Sequence, residues 1–240
     1  APPVAACQRP ADLHRDGRKG DGQEGDKPRQ REVRRHAVVG QRDGKHHDGE
    51  AQLISYTSGY RARNPLLRER YHSFTANRTG YLVRWTHGDA GRKTIVCHHG
   101  YMLGEPRQAR KMFRVKSLFD KGLDVVLFIA PFHWKRGAGP LKQRGIYLQS
   151  DDVVMTCECV GQTIHDLYNS FLILAGMGAP EIGLIGASLG GHNTALFISL
   201  TDMASFGAMM VPAVYFTDPL DPDKARLPFP VDAPLREKIR

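Results

Sequence analysis

One stretch of this 240-residue chain has residue types spaced for chemistry: "EIGLIGASLGGHNTALF", residues 181–197. A short apolar run ends in Gly186-Ala187-Ser188-Leu189-Gly190, Gly191 follows, and a helix-compatible segment begins. The pattern reads as a strand, a tight turn and a helix, with Ser188 at the tip of the turn. Small residues on either side let strand and helix approach closely. The turn also sets the hydroxyl at a helix N-terminus, where free N–H groups and the dipole favour developing negative charge. A serine there becomes a nucleophile only if a base takes its proton and an acid orients the base.

Several other side chains could take part. His98 and His99 close a run that reads as a strand. As a metal pair they are disfavoured, because adjacent strand residues point to opposite faces. His133, Lys135 and Arg136 lie in "PFHWKRGAGPLKQRG", the loop after the next strand. If the strands are parallel, that loop shares an edge with Ser188, so His133 and Arg136 are possible substrate-binding residues with a preference for an anionic group. The competing reading is a solvated basic loop with Trp134 tucked over the sheet. His192 follows Ser188 closely but is four positions along a new helix, a poor place for the base. Asp218, Asp221 and Asp223 sit in a D-P-x-D-P-D run, which a turn uses for local hydrogen bonding, and the turn reading is preferred.

The elements that must position these residues are legible from about residue 70. "YHSFTA" and "GYLVRWTH" read as strands of a hairpin with a turn over Asn77–Gly80. "KTIVCHH", "LDVVLFIAPFH", "EIGLIGA" and "FGAMMVPAV" read as four further strands. One helix is expected over 105–122, opened by Pro106 and closed by Gly122, and another over 155–177. The second has an apolar face of Cys157, Val160, Ile164, Leu167, Phe171 and Leu174. A third covers 189–201. Strands alternating with helices imply an α/β fold, a mostly parallel sheet with helices on both faces.

This arrangement, with Gly186-x-Ser188-x-Gly190 between strand and helix, resembles the α/β-hydrolase superfamily over residues 70 to 215. The resemblance implies that Ser188 is a catalytic nucleophile at the elbow. It also implies that His99-Gly100-Tyr101-Met102 is the loop presenting a backbone N–H to that elbow. The oxyanion hole would then be the amides of Leu189 and of Tyr101 or, one residue on, Met102, with His99 helping to hold the loop. In this superfamily the chain order is nucleophile, acid, histidine. No histidine follows His192, so the acid and base are expected beyond residue 240, and the sequence reads as a fragment of a domain with little or no turnover. The implied function is a serine hydrolase acting on a carboxylic ester or related acyl substrate through an acyl-enzyme. The alternative is a non-catalytic protein of the same fold that binds a ligand or partner in the cleft.

Bulk properties bound the rest. Hydrophobic residues make up 41% and charged residues 25%, ordinary for a globular chain. The formal charge is +9. Residues 1–50 hold 11 Lys and Arg against 9 Asp and Glu, and the remaining positive charge reads as scattered. A partner of nucleic acid or membrane is therefore not expected, and a small-molecule acyl substrate is. The first fifty residues contain no Phe, Tyr, Trp, Ile or Met. They read as disordered, with residues 1–65 outside the domain and 66–240 forming it. Cys7, Cys97, Cys157 and Cys159 show no metal or disulfide spacing. No cofactor or metal is expected, Cys97 reads as a small buried hydrophobe, and a cytoplasmic setting follows from reduced thiols and the lack of a visible signal peptide.

Overall fold

The computed structural model describes residues 33–37, 50–137 and 152–213. Its centre is a seven-stranded sheet of β1 (Val33–Ala37), β2 (Glu50–Thr57), β3 (Thr79–Thr86), β4 (Thr94–His98), β5 (Asp124–Phe128), β6 (Ile182–Ala187) and β7 (Gly207–Met210). The spatial order is β1-β2-β3-β5-β4-β6-β7. The last four in that order are mutually parallel, and β1, β2 and β3 join antiparallel. Strands β4 and β5 are buried at every position, as continuous β-branched runs in a covered parallel sheet must be.

Helices cover both faces. One face packs Ile54, Leu82, Val96, Phe128 and Leu184 against Leu167, Phe171 and Phe197 from α4 (Val153–Gly176) and α5 (Leu189–Leu200). The other packs Val83, Ile95, Val125 and Leu127 against Ala109 of α2 (Pro106–Met112), Phe113 just after it, and Val115 and Phe119 of α3 (Val115–Phe119). A short α1 (Arg68–Ser73) lies ahead of β3. The mostly parallel sheet with helices on both faces is the architecture expected from the sequence.

Five details differ. The sheet takes in β1 and β2, which fall inside the stretch 1–65 assigned outside the domain. Strand β2 pairs with β3 along its full length, Glu50 to Thr57, and buries Ile54 and Tyr56. "YHSFTA" is helical, because Asn64 and Pro65 supply a cap and a first-turn residue just upstream and no strand partner is left for it. Asn77 is buried under the post-β5 loop instead of forming a turn tip. The helix over 105–122 is two helices, broken at Arg114, whose φ of 48° and ψ of 47° are left-handed. In α4 the buried side begins with Met155, Glu158 and Cys159, and Cys157 is exposed. Glu158, Gln162, Asp166 and Ser170, spaced at i, i+4, form a buried polar row that an apolar pattern does not detect.

The turn between β6 and α5 tolerates no side chain at its glycines. A Cβ on Gly186 would meet the Gly190 carbonyl and Thr194 Oγ1, and one on Gly190 would meet the His98 carbonyl. Gly186→Ala is expected to lower stability by about 3 kcal/mol. Gly176→Ala, in open space at the end of α4, is expected to raise it by about 0.5 kcal/mol. Urea unfolding of the two variants checks the opposite signs.

Candidate active site

Ser188 leaves β6 with φ 53° and ψ −115°, a combination costly for a residue with a Cβ. Its backbone is held on both sides: its N–H donates to Met210 O at 2.9 Å, and its carbonyl accepts from His192 N and Ala213 N, each at 3.1 Å. The residue is exposed, and its side chain makes no capping bond to α5. The hydroxyl is therefore not consumed by the fold. Four other non-glycine residues with positive φ, Met102, Phe132, Trp134 and Val211, also follow the carboxyl ends of parallel strands. Backbone strain is concentrated at this edge, where loops of an α/β sheet meet ligands.

The loop after β4 abuts the elbow. A Cβ on Gly100 would lie 3.2 Å from Ser188 Cβ. Leu189 opens α5, so its N–H has no intrahelical acceptor. Among the described residues neither the Leu189 amide nor the Tyr101 amide donates to a protein group. The structure thus brings Ser188, Leu189 and the Tyr101 loop to one edge of the sheet.

His99 fixes that loop. Its Nε2 accepts from the Ala130 N–H at 3.1 Å, so the proton must sit on Nδ1, which donates to Gly100 O at 2.8 Å. Burial holds the imidazole down at about 4, against the opposing effect of its bond to Gly100. His98 points to the opposite side of β4 and contacts Asn193 Nδ2 through Nε2 at 3.1 Å. Burial also drives His98 well below the ordinary range. Among the described residues, no group of three or more His, Cys, Asp or Glu is arranged to hold a metal ion.

The post-β5 loop corrects the sequence reading. Arg136 is fully buried and is no substrate ligand: its Nη2 meets Asp166 Oδ2 at 2.6 Å, with Asp166 also fully buried. Its Nη1 donates to Ile129 O and its Nη2 to Asn77 O. Asp166 accepts from Ser58 Oγ at 2.6 Å, and Gln162 links Ser58, Asn77 and Tyr71. The guanidinium that sequence placed in solvent is a strut holding the loop to α4. His133 is also fully buried, donating from Nδ1 to Pro131 O at 2.8 Å, with its ring 4.6 Å from that of His99. Its Nε2 has no partner among the described residues, and burial, reinforced by His99, pushes the ring well below the usual imidazole range. Lys135 alone of the three is exposed, lying over Trp134 at 5.1 Å. His192 is half-buried and its ring bonds to the Ala213 backbone.

Sequence reading missed Asp166 and the polar row of α4 because each residue there resembles a solvated helix position. The available signal was their strict four-residue spacing. Asp218, Asp221 and Asp223 lie outside the described residues. Cys97 is buried, as expected, and burial pushes its thiol up. Among the described residues no helix is long and apolar enough to cross a membrane.

No protein-family model matches the chain. It is 31% identical over 149 residues to the uncharacterized protein Rv2627c of Mycobacterium tuberculosis (strain ATCC 25618 / H37Rv) and to the uncharacterized protein MT2702 of strain CDC 1551 / Oshkosh. Those matches cover 60% of this chain and 35% of each relative, so the matched region spans about a third of their length. Among solved structures, acetyl xylan esterase 1 from Thermoanaerobacterium sp. JW/SL YS485 superposes with a TM-score of 0.50 at 14% identity. The superposition covers 76% of this chain and 53% of that one. The fold is that of the α/β-hydrolases.

Two outcomes follow from the buried charges and rings. Asp166→Asn leaves Arg136 buried without a counter-ion and is expected to cost about 3–5 kcal/mol in urea unfolding. The three buried histidines have folded-state pKa values below the unfolded 6.5. Below pH 6.5 the unfolded chain takes up protons that the folded chain refuses. Their contribution is thus complete above pH 6.5 and is lost on acidification toward the folded values, about 4 for His99. Each ring adds a slope of up to about 1.4 kcal/mol per pH unit. Urea midpoints between pH 6.5 and 5 should fall steeply, and less steeply in His133→Asn.

Proposed function

We propose that this chain carries the nucleophile and oxyanion hole of a serine hydrolase acting on a carboxylic ester or related acyl substrate. The observation supporting this reading best is the strained, exposed Ser188 beside the loop and helix start that carry two amides, Tyr101 and Leu189, which donate to no group among the described residues. Ser188 Oγ attacks the acyl carbon, and the carbonyl oxygen gathers negative charge facing the two N–H groups. Collapse of that adduct breaks the bond to the leaving oxygen, which departs as an alcohol with the proton taken from serine. Water then repeats the attack on the acyl-enzyme and releases the acid. Losing one such amide donor typically costs 100- to 1,000-fold in kcat.

The base that carries the proton is proposed to come from outside these 240 residues, together with its orienting acid. This rests on the state of the imidazoles near the elbow. His98, His99 and His133 are fully buried, His99 uses both ring nitrogens in bonds to the backbone, and His192 is tied to Ala213. No histidine follows His192 in the sequence. The same observation favours the second reading, a cleft of this fold that binds a ligand without turning it over.

A fluorophosphonate probe separates the two in the intact protein. Labelling that disappears in Ser188→Ala, with hydrolysis of a short-chain p-nitrophenyl ester reduced at least 1,000-fold, is the expected result. A folded protein that neither labels nor hydrolyses is a binder.

A further inference from the structure

Two adjacent histidines leave the end of β4 on opposite faces, and each ring makes a different tether. His99 binds the loop after β4 to the Ala130 amide. His98, fully buried, reaches the other way to Asn193, whose Nδ2 lies 3.1 Å from its Nε2. Asn193 is also fully buried and stands one turn beyond Leu189 on α5. The bond therefore joins the two elements that carry the Tyr101 and Leu189 amides.

The pair is a costly way to fill this space. His98 Nδ1 and Asn193 Oδ1 have no partner among the described residues. Two polar side chains thus leave water for one hydrogen bond, where an apolar pair of similar bulk would pack without that loss. The Phe128 ring, 5.2 Å from that of His98, belongs to the apolar core that α5 covers. What a hydrogen bond supplies and apolar packing does not is direction. Direction matters here because Gly190, which lies against the His98 carbonyl, has no side chain to key the helix start into β4. A rotation of α5 by about 20° would carry its first residue roughly 0.5–1 Å, as much as a productive site tolerates.

We propose that His98 and Asn193 are positioning residues of the oxyanion hole, their bond setting the Leu189 amide in register with the Tyr101 amide. Both roles presuppose that Ser188 is the nucleophile. An oxyanion forms only on the way through the transition state, so a misplaced donor lowers kcat and leaves KM unchanged.

The test is steady-state hydrolysis of p-nitrophenyl acetate by the intact protein, with fluorophosphonate labelling and urea unfolding alongside. His98→Leu/Asn193→Ala removes the bond at similar combined volume. It is expected to keep or raise the urea midpoint, lower kcat at least about tenfold and leave KM within about twofold. Asn193→Ala alone should lose a similar factor in kcat. His98→Gln keeps an amide able to pair with Asn193 and should hold kcat within about threefold of wild type. Equal loss of kcat in His98→Gln and Asn193→Ala would assign the effect to packing and overturn the proposal, a comparison that stands even if the double variant does not fold. A folded double variant with wild-type kcat, or one whose lowered midpoint comes with a raised KM, would overturn it too. A wild-type protein that neither labels nor hydrolyses removes the nucleophile and this role with it. An active wild type with indifferent variants removes the positioning role alone.

Discussion

Three backbones meet where β6 turns into α5, and the site depends on how little room they leave. Gly190 lies against the carbonyl at the end of β4, and Gly186 lies against the carbonyl of Gly190. With no space for the chain to spread, the whole change of direction falls on Ser188, which adopts φ 53° at a cost of order 1–3 kcal/mol. Such strain survives only where the surroundings over-determine it. Here the bonds to Met210, His192 and Ala213 do so from β7 and the first turn of α5. The side chain is thrust outward because the backbone has nowhere else to put it.

A second constraint acts above the sheet. The segment before β3 and the loop after β5 have little regular structure to align them with the first half of α4. What aligns them is a buried ion pair, Arg136 with Asp166, surrounded by Ser58, Asn77, Gln162 and Tyr71. A buried pair returns little net stability, since desolvation offsets most of the attraction. Its effect is on alternatives: any arrangement that separates the partners strands a charge in apolar surroundings. The same network seats the loop that carries Ala130, and Ala130 N–H holds His99. The polar strut and the loop beside Ser188 are thus mechanically one unit.

The sheet and the elbow were legible in the sequence because periodicity and glycine spacing are local. Runs such as "KTIVCHH" and "EIGLIGA" are buried on both sides and read as such without a partner in view. "AQLISYT" had the β-branched and aromatic content of a strand, but it follows fifty residues with almost no apolar pattern, and its neighbourhood misled. Arg136 shows a different limit. A guanidinium in a loop reads as solvated, and only Asp166, thirty residues on, makes its burial possible. Likewise nothing near Arg114 announces a left-handed residue. Leu118 and Phe119 reach the sheet from α3 because the chain turns there, a tertiary demand that overrides local helix signals.

The distribution of charge follows from these constraints and bears on chemistry. Near Ser188 the buried imidazoles are neutral above pH 6.5, and Arg136 is matched by Asp166. On the proposed reading, the partners of the serine's reacting carbonyl are therefore the amide dipoles of Leu189 and Tyr101. Dipoles of this kind favour a localised oxyanion held at hydrogen-bond distance and attract a free carboxylate only weakly. A full cation at the same place would stabilise the carboxylate product of ester cleavage along with the transition state, lowering KM for product more than the barrier. On the proposed reading, a site built from amide dipoles avoids that hold on the product.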